Sequence, residues 1–194
     1  MSQNYSALFK RLLDADRLLQ PEIGSGSHEP SYAFYSNEAP GSGKEVWFSS
    51  YEAFALLVAL RLLGHGWPQG TVVRLMRQVR RHLEAEHGRI VQQNPEMLFD
   101  QNEVRKRARP GMAFTNNIDP VFLAITEPER PGGSDGERAP HAFAIRRGQD
   151  DLMKFILEEM PVGMVTTTLE LVGSAHWLKQ HLASTQPSRR GRAG

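Results

Sequence analysis

The pattern of apolar and polar residues is most regular between residues 46 and 88, where it predicts two consecutive helices. In the first of them, residues 51–63, only Glu52 and Arg61 are charged. A helix that is apolar nearly all round is normally buried on several sides. Ser49 stands three residues before Glu52, which is the spacing of a capping box. We therefore predict a buried helix that begins after Ser49.

The second helix is amphipathic and follows a glycine-rich turn. Gly64 and Gly66 can adopt the left-handed conformation that ends helices. Pro68 suits the first helical position, where its missing N–H costs nothing, and Gly88 is predicted to close the helix. At about 100° per residue, four apolar side chains share one face: Val72, Met76, Val79 and Leu83.

The other side of this second helix carries arginines. Arg74, Arg77 and Arg81 fall roughly opposite the apolar face, and Arg80 flanks them. Such a stripe is usually a solvated surface, but it can also lie against the phosphates of a nucleic acid. Lys44, in the loop before the first helix, would add a cation. These five residues are the candidate nucleic-acid-binding residues.

A family resemblance covers residues 46–83. The segment WFSSYEAFALLVALRLLGHGWPQGTVVRLMRQVRRHL is similar to the second half of a MerR-like winged helix-turn-helix domain. The matching features are the aromatic-serine pair Phe48-Ser49, the turn at 60–64 and the apolar residues after Gly70. The family's N-terminal helix-turn-helix has no recognisable counterpart upstream. The resemblance implies a winged-helix-like N-terminal part and a DNA-binding transcriptional regulator.

Upstream of the helix pair, residues 6–19 predict another helix, which Pro21 stops. Residues 32–35 and 45–48 are candidates for short strands. Together they would form a two-stranded hairpin with a long loop, the shape of a wing. The alternative is a mobile surface loop followed by the helix pair.

Downstream, the pattern changes to α+β after a further helix at 95–108. Residues 121–126, 141–146 and 165–172 are strand candidates, and a polar, proline- and glycine-rich linker joins the first two. A helix opens at Asp150 and Asp151 and ends at Pro161. Its predicted buried side chains are Leu152, Phe155, Ile156 and Met160. Ser174 is predicted to cap a final helix that runs to about Leu182.

These elements predict an α+β fold with two parts. A mostly helical, winged-helix-like part with a short hairpin would span residues 1–110. A mixed α/β part would span residues 111–184, and the basic tail at 185–194 would be disordered.

Composition narrows the class of protein. The chain has no cysteine, which excludes disulfides, thiolate metal sites and cysteine nucleophiles. The net charge is only +1, but a basic middle precedes an acidic C-terminal half. No secretory signal and no membrane-length apolar run is visible, so we expect a cytoplasmic protein without a membrane partner. Abundant arginine with little lysine is typical of a GC-rich bacterial source.

Motifs for catalysis or cofactor binding do not meet their requirements. The segment APGSGKE at 39–45 lacks the first glycine of a phosphate-binding loop and has Glu45 in place of its Ser/Thr. His82 and Glu86 share a helical face, but His87 points away from them, which disfavours a metal site. We therefore expect no enzyme activity, no cofactor and no metal.

Three hypotheses about function follow. In the first, the protein is a DNA-binding transcriptional regulator whose C-terminal half senses a ligand or forms a homodimer. In the second, the protein is an interaction or accessory module that binds another protein through helices 50–87 and 95–108. In the third, it is an enzyme with a dispersed active site.

Overall fold

A computed structural model describes residues 5–19, 32–35, 47–94, 120–128, 142–160 and 163–184. The elements in this part of the chain, in order, are α1 (Tyr5–Leu18), α2 (Ser50–Gly64), α3 (Gln69–Gln92), β1 (Val121–Pro128), β2 (Ala142–Arg147), α4 (Gln149–Lys154), β3 (Met164–Glu170) and α5 (Val172–Ser184). A π-helical turn at Phe155–Glu159 continues α4. The predicted helix at 95–108, the tail at 185–194 and Lys44 lie outside the described residues.

Helix α2 begins as its sequence predicts. The Glu52 N–H donates to Ser49 Oγ at 3.1 Å, and the Ser49 N–H donates to Glu52 Oε2 at 2.6 Å, so the capping box is complete. At the other end Gly66 has a φ of 88°. The Trp67 N–H bonds to Leu62 O, and the Gly66 N–H to Leu63 O, which together form a Schellman motif. Both predicted helix boundaries are confirmed.

Helix α3 is longer than predicted. Its four predicted apolar face residues are completely buried, but the prediction that Gly88 closes the helix is wrong, because α3 continues to Gln92. Ile90 is fully buried two residues after Gly88. Burying an isoleucine contributes about 1.5–3 kcal/mol, whereas a glycine inside a helix costs only about 1 kcal/mol relative to alanine. Pro68 precedes the first helical residue rather than occupying that position.

The predicted hairpin strand at residues 32–35 is not formed. Ala33 and Phe34 lie in a bend, fully buried against the helices. Their N–H groups donate to the carboxylate of Asp16 instead of to a neighbouring strand. Trp47 and Phe48 are not in a strand either. A side chain on α1 has therefore replaced the backbone partner that a hairpin would supply.

A three-stranded antiparallel sheet follows, in the order β2-β1-β3. All three predicted strands are confirmed to within two residues at each end. In the register, Leu123 lies between Ile145 and Leu169, so these three side chains share one face of the sheet. This inner face packs toward the helices, where the ring of His82 on α3 meets that of Phe143 at 5.5 Å.

Helix α4 covers part of the outer face of the sheet. Arg146 lies 4.4 Å from the centre of the Phe155 ring, and Thr166 contacts Met160. The prediction that its apolar residues are buried is wrong, because Leu152, Phe155, Ile156 and Met160 are only partly buried. Helix α4 is short and packs against the sheet on one side only, so the opposite side of the helix faces solvent.

Helix α5 starts earlier than predicted. The Glu170 carboxylate accepts the N–H groups of Val172 and Gly173 at 2.8 and 2.9 Å, so Glu170 caps the helix instead of Ser174. The Ser174 hydroxyl donates to Glu170 O and accepts a bond from Arg61 on α2.

The helices and the sheet share one hydrophobic cluster. It contains buried residues of α1, α2, α3, β1, β3 and α5. Within the described residues the two predicted parts therefore pack against each other, and the predicted boundary at residue 110 lies outside those residues. Of the described helices, none is long and apolar enough to cross a membrane.

Candidate functional site

The predicted arginine stripe on α3 does not form one surface. Arg74 and Arg81 are exposed, whereas Arg77 is partly buried and Arg80 is 6% exposed. The exposed pair, Arg74 and Arg81, therefore differs in surroundings from the more buried pair, Arg77 and Arg80. The interpretation of the stripe as a solvated surface therefore fits Arg74 and Arg81 but not Arg77 and Arg80.

Arg77 forms an ion pair inside the protein. Its Nε lies 2.9 Å from Oδ1 of Asp16, a carboxylate that is completely buried. Its Nη2 donates to the backbone oxygens of Asp16 and Leu19. The other contacts of the Asp16 carboxylate are with the N–H groups of Ala33 and Phe34. We call these groups the Asp16 clamp, and it joins α1, α3 and residues 32–35.

Arg80 binds the same segment, residues 32–35, through its carbonyl groups. Its Nη1 donates to the backbone oxygens of Tyr32 and Tyr35. Its guanidinium carbon lies 5.7 Å from the centre of the Tyr51 ring, and the Tyr51 hydroxyl donates to Arg80 O at 3.2 Å. Burial raises the pKa of Tyr51 well above its ordinary value, so this hydroxyl stays protonated and remains a donor.

One signal in the sequence could have identified the Asp16 clamp. Asp16 follows the buried Leu12 by four residues, so it lies on the apolar side of α1. A carboxylate is almost never fully buried without a partner. A buried Asp16 therefore requires a cation from another element, and an arginine close to the apolar face of a neighbouring helix can provide it.

Arg74 and Arg81 belong to an exposed row on the outward side of α3. The row also contains Gln78 and Ala85, and these four residues lie within about 60° of one another around the helix axis. None of the four is acidic, and Glu84 flanks the row. Helix α1 lies beside the first turn of α3, where Gln69 Nε2 donates to Arg11 O at 2.8 Å. We call the four residues of this row the α3 outer row.

A second charged feature lies near the end of α3, at a pocket of about 440 Å³. The pocket is lined by Glu86, Arg89, Gln93, Pro120, Val121, Arg147 and Gly148. In this lining, Arg147 binds the Glu86 carboxylate through two parallel bonds, Nε to Oε1 at 3.1 Å and Nη2 to Oε2 at 2.6 Å. Arg89 Nη1 lies 3.4 Å from the same Oε2. We call this site the Glu86 pocket.

The backbone around Arg147 is fixed by local bonds. The Arg147 N–H donates to Asp151 Oδ2 at 2.9 Å, and the next N–H, of Gly148, donates to Pro120 O at 2.7 Å. Gly148 has a φ of 85°, which a residue with a side chain rarely adopts, and this allows the chain to turn from β2 into α4. The hydrogen bonds that Arg147 donates to the Glu86 carboxylate raise the pKa of Arg147, so its guanidinium remains charged.

The sequence pattern does not reveal the Glu86 pocket. It places Glu86 on the same helical face as His82, and no motif includes Arg147 or Gln93. The available signal was position, because Glu86 lies on the same side of α3 as Leu83 and Ile90 and is 4% exposed. Its partner comes from a strand more than fifty residues later, and helical periodicity cannot identify such a partner.

The described histidines do not form a metal site. His87 is buried, and its ring stacks on Phe54 with the ring centres 4.8 Å apart. His176 is also buried. Burial lowers the pKa of both imidazoles, and the positive charge of Lys179 lowers it further. In the part of the chain that the structure describes, no group of three or more histidine, aspartate or glutamate side chains could hold a metal ion.

Comparisons with protein-family models, with curated protein sequences and with solved structures gave no match.

Proposed function

We propose that the protein binds duplex DNA through the α3 outer row and acts as a transcriptional regulator. The observation that carries this proposal is the pair Arg74 and Arg81, exposed on one side of α3 without an acidic residue between them in the row. Exposed arginines bind phosphates with charge-assisted hydrogen bonds, which supply much of the affinity of DNA-binding proteins.

The geometry of α3 suits contacts to a phosphate backbone. Arg81 follows Arg74 by seven positions, which corresponds to about 10 Å along the helix axis. Exposed Lys10 and Arg11 on α1 extend the cationic surface beside the first turn of α3. Arg77 and Arg80 do not contact DNA in this proposal. They tie α3 to the rest of the fold, so that the outer row lies on a rigid element.

The resemblance to winged helix-turn-helix domains supports the same proposal. It concerns α2, the following turn and α3, the elements that the structure contains at these positions. Since residues 32–35 form no strand, we assign the phosphate contacts to α3 and α1 and not to a wing. The alternative is protein binding through helices 50–87 and 95–108. It has less support at residues 50–87 because most of α2 is buried inside the fold, and residues 95–108 lie outside the described residues.

Replacing Arg74 and Arg81 together by alanine is expected to weaken DNA binding strongly. Fluorescence anisotropy with a labelled duplex, at about 50 and 200 mM salt, would measure it. Each lost phosphate contact should reduce the slope of log K against log salt by about 0.9, so the double variant should lose about 1.8. Arg77 is left intact, because its replacement would disrupt the Asp16 clamp.

The matched control replaces two exposed lysines on other elements, Lys154 and Lys179, by alanine. It removes the same net charge and should change the slope much less. An equal loss in both variants would mean that only the total charge matters and would argue against the α3 outer row. Absence of binding by the wild-type protein at low salt would remove the proposal.

A further inference from the structure

The Glu86 pocket has an excess of positive charge. Two guanidinium groups, from Arg89 and Arg147, face one carboxylate, and both carboxylate oxygens are already engaged. The side chains of Arg89 and Arg147 are 63% and 60% exposed. Their bonds to Glu86 leave most of the N–H donors of both groups for another oxygen. The remaining donors of Arg89 and Arg147 are therefore suited to binding an oxyanion.

Gln93 indicates that a ligand in this pocket should also carry a hydrogen-bond donor. Its Oε1 atom is buried and has no hydrogen-bond partner among the described residues. A buried acceptor without a partner is unfavourable, because it has lost its hydrogen bonds to water. If the Gln93 side chain turns toward the pocket, a ligand with an O–H or N–H group close to its anionic group can satisfy this acceptor. The negative charge of the ligand would then contact the two guanidinium groups.

From this arrangement we propose that the Glu86 pocket binds a small metabolite whose carboxylate or phosphate group contacts Arg89 and Arg147 and whose hydroxyl or amino group donates to Gln93. The volume of about 440 Å³ lies within the range of about 300–1,000 Å³ that is usual for small-molecule sites. Glu86 does not contact the ligand. It fixes the plane of the Arg147 guanidinium through the two parallel bonds. The proposal is independent of DNA binding, since it uses neither Arg74 nor Arg81.

The test is an NMR titration of the ¹⁵N-labelled full chain with four sodium salts at matched ionic strength. Glycolate carries a carboxylate and a hydroxyl, acetate lacks the donor, inorganic phosphate is the alternative oxyanion, and chloride is the ionic control. Glycolate or phosphate should shift the amide signals of Val121 and Gly148 in a saturable manner, and glycolate should bind more tightly than acetate. Tighter binding of glycolate than of phosphate would indicate a carboxylate site, and tighter binding of phosphate would indicate a phosphate site.

Two variants separate the roles of the residues. Arg89→Gln should weaken the binding of every oxyanion at least about tenfold, because it removes a charge-assisted hydrogen bond. Gln93→Leu should abolish the preference for glycolate over acetate while acetate binding stays unchanged. Lys154→Gln removes an exposed cation outside the pocket lining, so it is the control and should bind like the wild type.

Shifts that are linear and equal for all four salts would overturn the proposal. Saturable shifts that persist unchanged in Arg89→Gln would also overturn it. If Arg89→Gln does not fold, as judged by thermal unfolding, Arg147→Lys is the second variant. It keeps the charge beside Glu86 and removes the planar pair of donors, so it should weaken glycolate and phosphate binding.

Discussion

Asp16→Asn should lower the free energy of unfolding by about 3–5 kcal/mol, the usual effect of breaking a buried ion pair. Asp16 is completely buried, and its carboxylate accepts bonds from Arg77 and from the N–H groups of Ala33 and Phe34. The amide would leave the Arg77 guanidinium without its counter-charge in a partly buried position. Urea unfolding followed by circular dichroism would measure the loss. In a chain of this size it corresponds to a decrease in Tm of roughly 10 °C.

The matched control is Asp14→Asn, the same chemical change two residues earlier on α1. Asp14 is half exposed and lies 3.9 Å from Arg17, so its loss should cost less than about 1 kcal/mol. Hydrogen exchange gives a second readout, because the Ala33 and Phe34 amides should exchange much faster in Asp16→Asn only. Equal stability of the two variants would show that the Asp16 clamp does not hold the fold together.

Lowering the pH from about 7 to 5 is expected to destabilise the protein through His87 and His176. Burial lowers the pKa of both imidazoles in the folded state, whereas the unfolded value is about 6.5. The two histidines have no effect above that value. Below it the unfolded chain binds protons that the folded protein does not, so stability falls as pH falls. Each histidine contributes at most about 1.4 kcal/mol per pH unit, until its folded pKa is reached.

Urea unfolding at several pH values would measure this slope, and His87→Phe isolates one contribution. Phenylalanine preserves an aromatic ring against Phe54 but cannot be protonated. The slope between pH 7 and 5 should therefore decrease in this variant. His65→Gln is the control, because His65 is exposed, and it should keep the wild-type slope. An unchanged slope in His87→Phe would show that another group causes the acid sensitivity.

Local patterns in the sequence predicted much of the fold. The Ser49–Glu52 capping box, the closing turn at Gly66 and the apolar face of α3 all depend on neighbours within a few residues. The strands were found for the same reason, because β-branched and apolar runs favour extended backbone regardless of their partners. The winged-helix assignment and the DNA-binding function remain proposals.

The sequence was a poorer guide where the partner of a residue is distant in the chain. Aromatic residues at 32–35 favoured a strand, but the Asp16 carboxylate and Arg80 bind that backbone in a bend. Gly88 is a common helix terminator, but the burial of Ile90 extends α3 beyond it. In each case a long-range contact outweighs a local preference of about 1 kcal/mol or less.

The sequence by itself determined the α+β class, the positions of the main helices and strands and the presence of arginines on α3, since these follow from residue type and periodicity. Only the tertiary structure decided what those arginines do. Arg77 and Arg80 face buried oxygens, Arg74 and Arg81 face solvent, and Arg147 from β2 meets Glu86 from α3. The physical reason is that periodicity specifies only the direction of a side chain around its own helix. Whether that direction leads to water, to a carboxylate or to a pocket depends on which other element packs there.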